Sequence, residues 1–190
     1  MAVMQVNPNR MELSKLKKKL KTAVRGHKLL KDKRDEMVRR FMIYIRENKQ
    51  LREQVEASLT KALKSYALAS AVMSPQAMQT AVAVPMRKFS LDVSKQNIMS
   101  VDVPVISIKQ DAGTDSTYPY GLLQTPGELD KAISTLETVL EDMVRLAEIE
   151  KTCNLLADEI EKTRRRVNAL EYVMIPQMEE TIRSITMKLE

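Results

Sequence analysis

The sequence predicts a mostly α-helical protein, a long antiparallel left-handed coiled-coil hairpin with a small β-hairpin lobe at the turn. Among 190 residues there are only 4 glycines and 7 prolines, aromatic residues make up 4%, and tryptophan is absent. Two long segments carry apolar residues at alternating steps of three and four, and a segment rich in β-branched residues separates them. This composition is typical of long helices rather than of a compact domain with an aromatic core.

The first long segment is predicted to begin near Asn7, which is a good N-cap, with Pro8 at the first helical position. No further proline interrupts it before Pro75. Its 3-4 step defines a heptad seam and implies a left-handed supercoil. The predicted seam is Leu13, Leu16, Leu20, Ala23, His27, Leu30, Arg34, Met37, Phe41, Tyr44, Asn48, Leu51 and Val55, continued at wider spacing by Leu59, Leu63 and Tyr66.

The second long segment opens with TPGE, in which Thr125 can cap the helix, Pro126 suits the first turn and Glu128 completes a capping box. Its predicted seam has a one-residue slip in phase between Met143 and Leu146. The seam is Leu129, Ile133, Leu136, Leu140 and Met143, then Leu146, Ile149, Cys153, Leu156, Ile160, Thr163, Val167, Leu170 and Met174. Because the two helices have similar lengths and each has an apolar seam, we expect them to pair antiparallel.

The segment between the helices is predicted to form a β-hairpin from FSLDVS at 89–94 and SVDVPVISI at 100–108, with KQN between the strands. Pro104 favours an edge position. We therefore divide one elongated domain into an N-terminal coiled-coil helix at 7–75, a hairpin and loop lobe at 76–124, and a C-terminal coiled-coil helix at 125–190.

The residue types needed for catalysis or metal binding are scarce. His27 is the only histidine and Cys153 the only cysteine, so no His/Cys metal set can form, and no phosphate-binding glycine loop is present. Both residues fall on predicted seams, which favours a register-fixing histidine and a small buried thiol over catalytic roles. The sequence predicts no catalytic residue, no cofactor and no metal.

Charge is unevenly distributed along the chain. Residues 10–40 contain 13 lysines and arginines against four acids, whereas residues 127–161 contain ten acids against three bases. Such asymmetry indicates either a nucleic-acid surface or two differently charged ends of one rod. No membrane-spanning stretch or signal peptide is evident, so we expect a cytoplasmic protein without membrane insertion.

Three consecutive arginines, Arg164, Arg165 and Arg166, interrupt the C-terminal helix in EKTRRRVNALE. Neighbouring helical residues are about 100° apart, so the three side chains spread over one face. Three interpretations remain open: a solvated face, a docking surface for an acidic partner or protein socket, and nucleic-acid binding, for which stacking aromatics or a groove-reading element are lacking.

Pro176 follows within the same helical pattern, and a mid-helix proline costs about 3 kcal/mol. Beyond it, Met178, Ile182, Ile185 and Leu189 form another apolar stripe. Burying four such side chains contributes at most roughly 6 to 12 kcal/mol. The helix is therefore predicted to kink at Pro176 and to continue.

Four stretches resemble the D subunit of V/A-type rotary ATPases. The strongest are GHKLLKDKRDEMVRRF at 26–41 and CNLLADEIEKTRRRVNALEYVMIPQMEETI at 153–182, and NPNRMELSKLKKKL at 7–20 and NIMSVDVP at 97–104 are similar to the same family. The resemblance covers most of the chain and is weak in 60–95 and 109–125. This chain ends at MKLE, whereas that family commonly continues into a basic tail.

The resemblance implies a non-catalytic central-stalk rotor shaft that couples ATP hydrolysis or synthesis in a hexameric head to proton or sodium translocation below. The implied partners are the catalytic A and regulatory B subunits of the head, the F subunit of the central stalk, and a subunit that docks on the membrane ring, but no nucleic acid. The implied location is cytoplasmic and peripheral to the membrane, in a bacterium or archaeon.

The implied role gives the arginines a hypothetical function. Arg164, Arg165 and Arg166, with Lys28, Lys31, Lys33 and Arg34, would form part of the surface that the head senses, and the lobe at 86–108 is a second candidate for modulating the head. The alternative function is that of a prefoldin-like coiled-coil chaperone subunit, because those proteins also place a β-hairpin between two coiled-coil helices.

Overall fold

The computed structural model describes residues 6–83, 89–110, 118, 120–121 and 125–189. Its elements are α1 (Arg10–Val72), α2 (Pro75–Val82), β1 (Phe89–Ile98), β2 (Val101–Gln110) and α3 (Gly127–Ala169), then a π-helical turn (Leu170–Met174) and α4 (Ile175–Leu189). The predicted fold class is confirmed, since long helices flank one two-stranded antiparallel sheet. Over the described ranges, no helix has the length and apolar character needed to cross a membrane.

Both long helices begin differently from the prediction. Asn9, rather than Asn7, caps α1: its Oδ1 accepts from the Met11 N–H at 3.4 Å and its carbonyl accepts from the Leu13 N–H at 3.0 Å. Before α3, the Thr125 hydroxyl donates to the Gly121 carbonyl at 3.2 Å, and Glu128 pairs with Lys131 at 3.0 Å instead of closing a capping box. At both starts, a polar group other than the predicted one makes the bond: Asn9 in place of Asn7, and Lys131 with Glu128.

The chain divides into two compact units, each of which contains parts of both long helices. The lobe unit spans Ile43–Leu155, and the terminal unit combines the residues up to Met42 with those from Leu156 onward. In the lobe unit, α1 and α3 run antiparallel: Glu47 on α1 bonds to Arg145 on α3, whereas Ala69, later in α1, shares a buried cluster with Leu129, earlier in α3.

The N-terminal seam is confirmed from Leu13 to Val55, because each of its thirteen predicted positions is buried or partly buried. Beyond Val55 the prediction is wrong for Leu63 and Tyr66, which are exposed. The helix keeps its 3-4 step there instead of widening it, so smaller residues occupy the seam. These residues are Ser58, Ala62, Ser65 and Ala69.

The C-terminal seam is confirmed from Leu146 to Leu170 and needs correction on either side. Leu136, Met143 and Met174 are exposed, while Ala132 and Val139 are buried. In the lobe unit, the buried alanines of α1 and α3 allow close helix approach.

The β-hairpin has a longer pairing and a tighter turn than predicted. Residues Lys95–Asn97, predicted as the turn, belong to β1, and the strands pair in register from Phe89↔Gln110 to Ile98↔Val101. The two turn residues, Met99 and Ser100, have φ values of 54° and 72°. Positive φ at both central positions is typical of the type I′ turn, whose twist matches that of paired strands.

In the lobe unit, only one strand of this hairpin has buried side chains. Val101 and Val103 of β2 are buried, whereas β1 is exposed from Phe89 to Asn97. At the other edge of β2, the Ile106 N–H donates to the Glu148 carboxylate of α3 at 2.8 Å. The hairpin is thus attached to α3 through β2.

The terminal unit has its own buried seam, formed by one side of α1 and by the chain from Leu156 through α4. The helix continues beyond Pro176 as predicted. The buried side chains of this unit are Leu16, Met37, Leu156, Thr163, Val167, Met178, Thr181 and Ile185.

Candidate functional site

All seven basic residues assigned to the candidate site lie within the terminal unit. We call this set the basic collar: Lys28, Lys31, Lys33 and Arg34 on α1, and Arg164, Arg165 and Arg166 on α3. The structure therefore places both halves of the collar within one compact unit, although they are more than a hundred residues apart in sequence.

The α3 half of the collar is directed outward by the seam. Thr163 and Val167, which flank the three arginines, are each 1% exposed. Since residues four apart share a helix face, burying these two positions turns Arg164, Arg165 and Arg166 away from the core, and all three are exposed. Arg165 also pairs with Glu161, one helical turn earlier. This pairing neutralises part of the arginine charge.

The α1 half differs in exposure. Lys28 and Lys31 are exposed, and Lys33 and Arg34 are partly buried. Both Nε and Nη2 of Arg34 donate to Asp35 Oδ1, at 3.0 and 2.8 Å. Arg34 therefore lies on the predicted seam with its guanidinium held by its sequence neighbour.

His27 and Glu171 fix the relative level of the two halves. His27 Nε2 lies 3.3 Å from Glu171 Oε2. Six residues, about 9 Å of helix, separate Glu171 from Arg165, and six residues in the opposite direction separate His27 from Lys33. In an antiparallel pair these distances place Arg165 at the level of Lys33, so the collar brings like charges to one level.

Most of the collar cations have no salt-bridge partner among the described residues. In the described ranges, no carboxylate forms a salt bridge with Lys28, Lys31, Lys33, Arg164 or Arg166. Like charges at one level repel each other, and a negatively charged surface at contact distance would convert that repulsion into attraction. Because the side chains are mostly exposed, solvent and salt weaken both effects while the surface is free.

A groove at the start of α1 adds to this positive charge and was not singled out from the sequence. Arg10, Lys17, Lys18 and Lys21 line a cavity of about 410 Å³ together with Leu13 and Ser14. A signal was present in the run KLKKKLK, but the run by itself does not show that four cations share one face. Helical spacing brings them together.

The two residues considered for reactivity have structural surroundings. Cys153 is buried in the lobe unit, and burial raises the pKa of its thiol, with Glu150 and Glu47 adding to the effect. A raised pKa keeps the thiol protonated and unreactive. His27 is partly buried on the α1 seam, where its contact with Glu171 links α1 to the π-helical turn. Both positions agree with the structural roles predicted from the seams.

A polar contact near the start of α3 was not predicted from the sequence. The Tyr120 hydroxyl donates to Asp130 Oδ1 at 2.6 Å. The pKa of Tyr120 is raised by burial, which is the larger cause, and by this bond. Tyr120 also lines a cavity of about 330 Å³ beside α2, with Met73 and Ala81. Aromatic residues are rare in this chain, so the two tyrosines of YPYG at 118–121 were the sequence feature that could have indicated this contact.

Comparison with known proteins gives a consistent family assignment along the sequence. A family model described as the ATP synthase D subunit matches residues 12–190. The V-type ATP synthase D subunit of Acetivibrio thermocellus is 57% identical, and the match covers 100% of this chain and 86% of that relative. The protein of the same name from Thermoanaerobacter sp. (strain X514) is 55% identical, with 100% and 90% covered. That from Clostridium botulinum (strain Langeland) is 57% identical, with 98% and 88% covered.

Proposed function

We propose, on the premise that this chain belongs to the family of ATP synthase D subunits, that it is the central rotor shaft of a V/A-type ATPase. In that role it couples ATP hydrolysis or synthesis in a hexameric head to proton or sodium translocation in the membrane sector. It catalyses no reaction itself. The family match from residue 12 to residue 190 is the observation that carries the proposal.

The helical architecture is suited to that role. A shaft that transmits torque must resist twisting, and interlocked seam side chains resist the sliding of one helix past another. Each compact unit has such a seam, with Leu51, Val55 and Ile149 buried in the lobe unit, and Leu16 and Val167 buried in the terminal unit.

The basic collar is the proposed contact with the head, formed by the A and B subunits. Three physical features support this proposal. The arginines are exposed between two buried seam residues, like charges lie at one level, and a further basic groove lies at the start of α1. A one-sided charge also supplies the asymmetry by which one shaft can distinguish three equivalent catalytic interfaces. The F subunit and a subunit that docks on the membrane ring complete the proposed partners. The complex would be peripheral to the membrane on its cytoplasmic side.

The prefoldin-like alternative receives no support from these comparisons. It was suggested by the order of elements, a β-hairpin between two long helices, which unrelated families share. The family match instead extends over the helices and the hairpin together.

Copy number provides the test of the proposed function. The chain is affinity-tagged in its native host and purified in mild detergent, and the recovered assembly is analysed by native mass spectrometry. A rotor shaft is recovered with the A, B and F subunits, at one copy per hexameric head. Recovery of several copies, or of a soluble hetero-hexamer bound to unfolded proteins, would reject the rotor in favour of the chaperone.

A further inference from the structure

The C-terminal seam takes one irregular step, between Leu170 and Ile175. Up to Leu170 the seam advances by three and four residues through Thr163 and Val167. The next apolar residue that is turned inward, Ile175, lies five residues further on. At the same place, the Ile175 N–H donates to the Leu170 carbonyl, an i→i−5 bond. A five-residue step in the seam thus coincides with a five-residue step in the backbone ladder.

Burial shows that the phase of the helix changes across this step. A regular step of four would put Met174 on the seam, but its side chain is 41% exposed. From Ile175 the 3-4 alternation resumes through Met178, Ile182 and Ile185, which are all buried or partly buried. Without the extra residue, the regular positions would be Gln177, Thr181 and Ser184 in place of Met178, Ile182 and Ile185. Thr181 is also buried, so the change of phase is seen at the other two positions, where Met178 and Ile185 are buried and Gln177 and Ser184 are only partly buried.

Pro176 explains why the extra residue is absorbed here. In a regular α-helix its ring would collide with the carbonyl of Tyr172, four residues earlier. A π-helical turn is wider than an α-helical turn and accommodates one inserted residue, which gives the ring more room. The turn leaves Tyr172 and Val173 on the outside, 66% and 49% exposed. The contact between His27 and Glu171, the second residue of the turn, joins the turn to α1.

We propose that the π-helical turn is a phase-correcting device: it takes up the single residue by which the chain exceeds the heptad repeat and so returns α4 to the seam. The His27–Glu171 contact and Pro176 determine where the residue is taken up. Without the turn, α4 would direct Gln177 and Ser184 at α1 in place of Met178 and Ile185. The device belongs to the terminal unit alone, and its operation does not depend on the proposed function.

The accessibility of introduced cysteines measures which side of α4 is buried in the purified full chain. In a Cys153→Ala background, Ile185→Cys and Ser184→Cys are labelled separately with a water-soluble maleimide. The expected result is labelling several-fold slower at position 185 than at position 184, because Ile185 is 3% exposed and Ser184 is partly exposed. The same ratio is expected after Pro176→Ala, because the seam, rather than the proline, requires the extra residue to be absorbed.

Deletion of the extra residue gives the decisive comparison. Deleting Val173 together with Pro176→Ala should yield a continuous α-helix that keeps the slow labelling of the cysteine at 185 and the thermal midpoint of the parent. The matched control deletes Lys162, an exposed residue of the same helix, and should lower the midpoint because Thr163 and Val167 leave the seam. The proposal is overturned if the Val173 deletion lowers the midpoint as much as the Lys162 deletion, or if either Pro176→Ala variant reverses the labelling ratio.

Discussion

At the scale of single residues, Asn97 holds the β-hairpin turn together. Its Nδ2 donates to Asp102 Oδ1 at 2.7 Å, and its Oδ1 accepts from the Ser100 N–H at 3.1 Å. These two bonds span Met99 and Ser100, which adopt positive φ without being glycines. Such a conformation is unfavourable for residues with a side chain and persists only where neighbouring contacts enforce it. We therefore attribute the turn geometry mainly to one asparagine.

Replacing that asparagine should loosen the hairpin. Asn97→Ala removes both bonds and is expected to destabilise the hairpin by about 1 to 2 kcal/mol, since a typical hydrogen bond contributes about 1 kcal/mol. Hydrogen exchange of amides in residues 89–110 measures the change. Adding Ser100→Gly to the same chain should restore part of the protection, because glycine adopts positive φ without steric cost. Unchanged protection in Asn97→Ala would show that packing alone enforces the turn.

At the scale of secondary-structure elements, β2 is attached to α3 along an edge where Pro104 provides no N–H donor. Residues two apart in a strand direct their N–H groups to the same edge, so the nitrogen of Pro104 faces the edge from which Ile106 donates to Glu148. Proline removes a donor there, and the carboxylate satisfies the next one. The outer edge of β2 is thereby protected from pairing with another chain.

The Glu148 carboxylate is therefore expected to hold the hairpin on α3. Glu148→Leu leaves the part-buried Ile106 N–H without its acceptor, which costs about 1 to 3 kcal/mol. Glu148→Gln keeps an acceptor oxygen of similar reach and serves as the matched variant. Amide exchange at Ile106, followed by NMR, should be faster in the leucine variant and close to the parent rate in the glutamine variant. Equal exchange in all three proteins would mean that Val101 and Val103 suffice to hold the strand.

At the scale of the whole molecule, the uneven charge along the sequence becomes a localised surface. The basic residues of 10–40 and the three arginines of α3 belong to one compact unit, and the acidic stretch at 127–155 belongs to the other. A field of this kind steers an oppositely charged partner and fixes its orientation, more than it contributes to folding. The proposed contact with the head uses this localised field.

Reversing the arginine charges should impair coupling in the assembled complex. Replacing Arg164, Arg165 and Arg166 by glutamate introduces like-charge contacts with an acidic partner that cost several kcal/mol. Coupled ATP turnover at low salt should fall by about tenfold or more, since 1.4 kcal/mol corresponds to a factor of ten. ATP hydrolysis and ion transport are measured together in reconstituted vesicles, and the free chain should unfold at nearly the parent temperature.

A control of equal charge separates the collar from net charge. It replaces Lys49, Lys61 and Lys64, exposed residues of α1 in the lobe unit, by glutamate. The control should retain most of the coupled turnover. If the collar variant turns over and transports ions like this control, the arginines do not contact the head.

The sequence by itself determined the class of fold, the helical seams from Leu13 to Val55 and from Leu146 to Leu170, and the segment that forms the hairpin. Its heptad spacing is local information, because burial of a position on a long helix depends mainly on its phase. The seam from Leu13 to Val55 was therefore predictable residue by residue, and the hairpin was predictable from β-branched alternation. The exposure of the three arginines was predictable for the same reason, because the seam residues Thr163 and Val167 fix the side of the helix on which they lie.

The tertiary structure decided what depends on distant partners. Ala62 and Val139 occupy the seam in place of Leu63 and Leu136 because the face that each helix buries depends on its partner helix, which neither helix specifies alone. The like charges at the level of Arg165 and Lys33 arise from antiparallel register, and register is a property of the pair. The π-helical turn also required the fold: after Leu170 the sequence offers both Met174 and Ile175 as the next seam residue, and only packing against α1 selects Ile175.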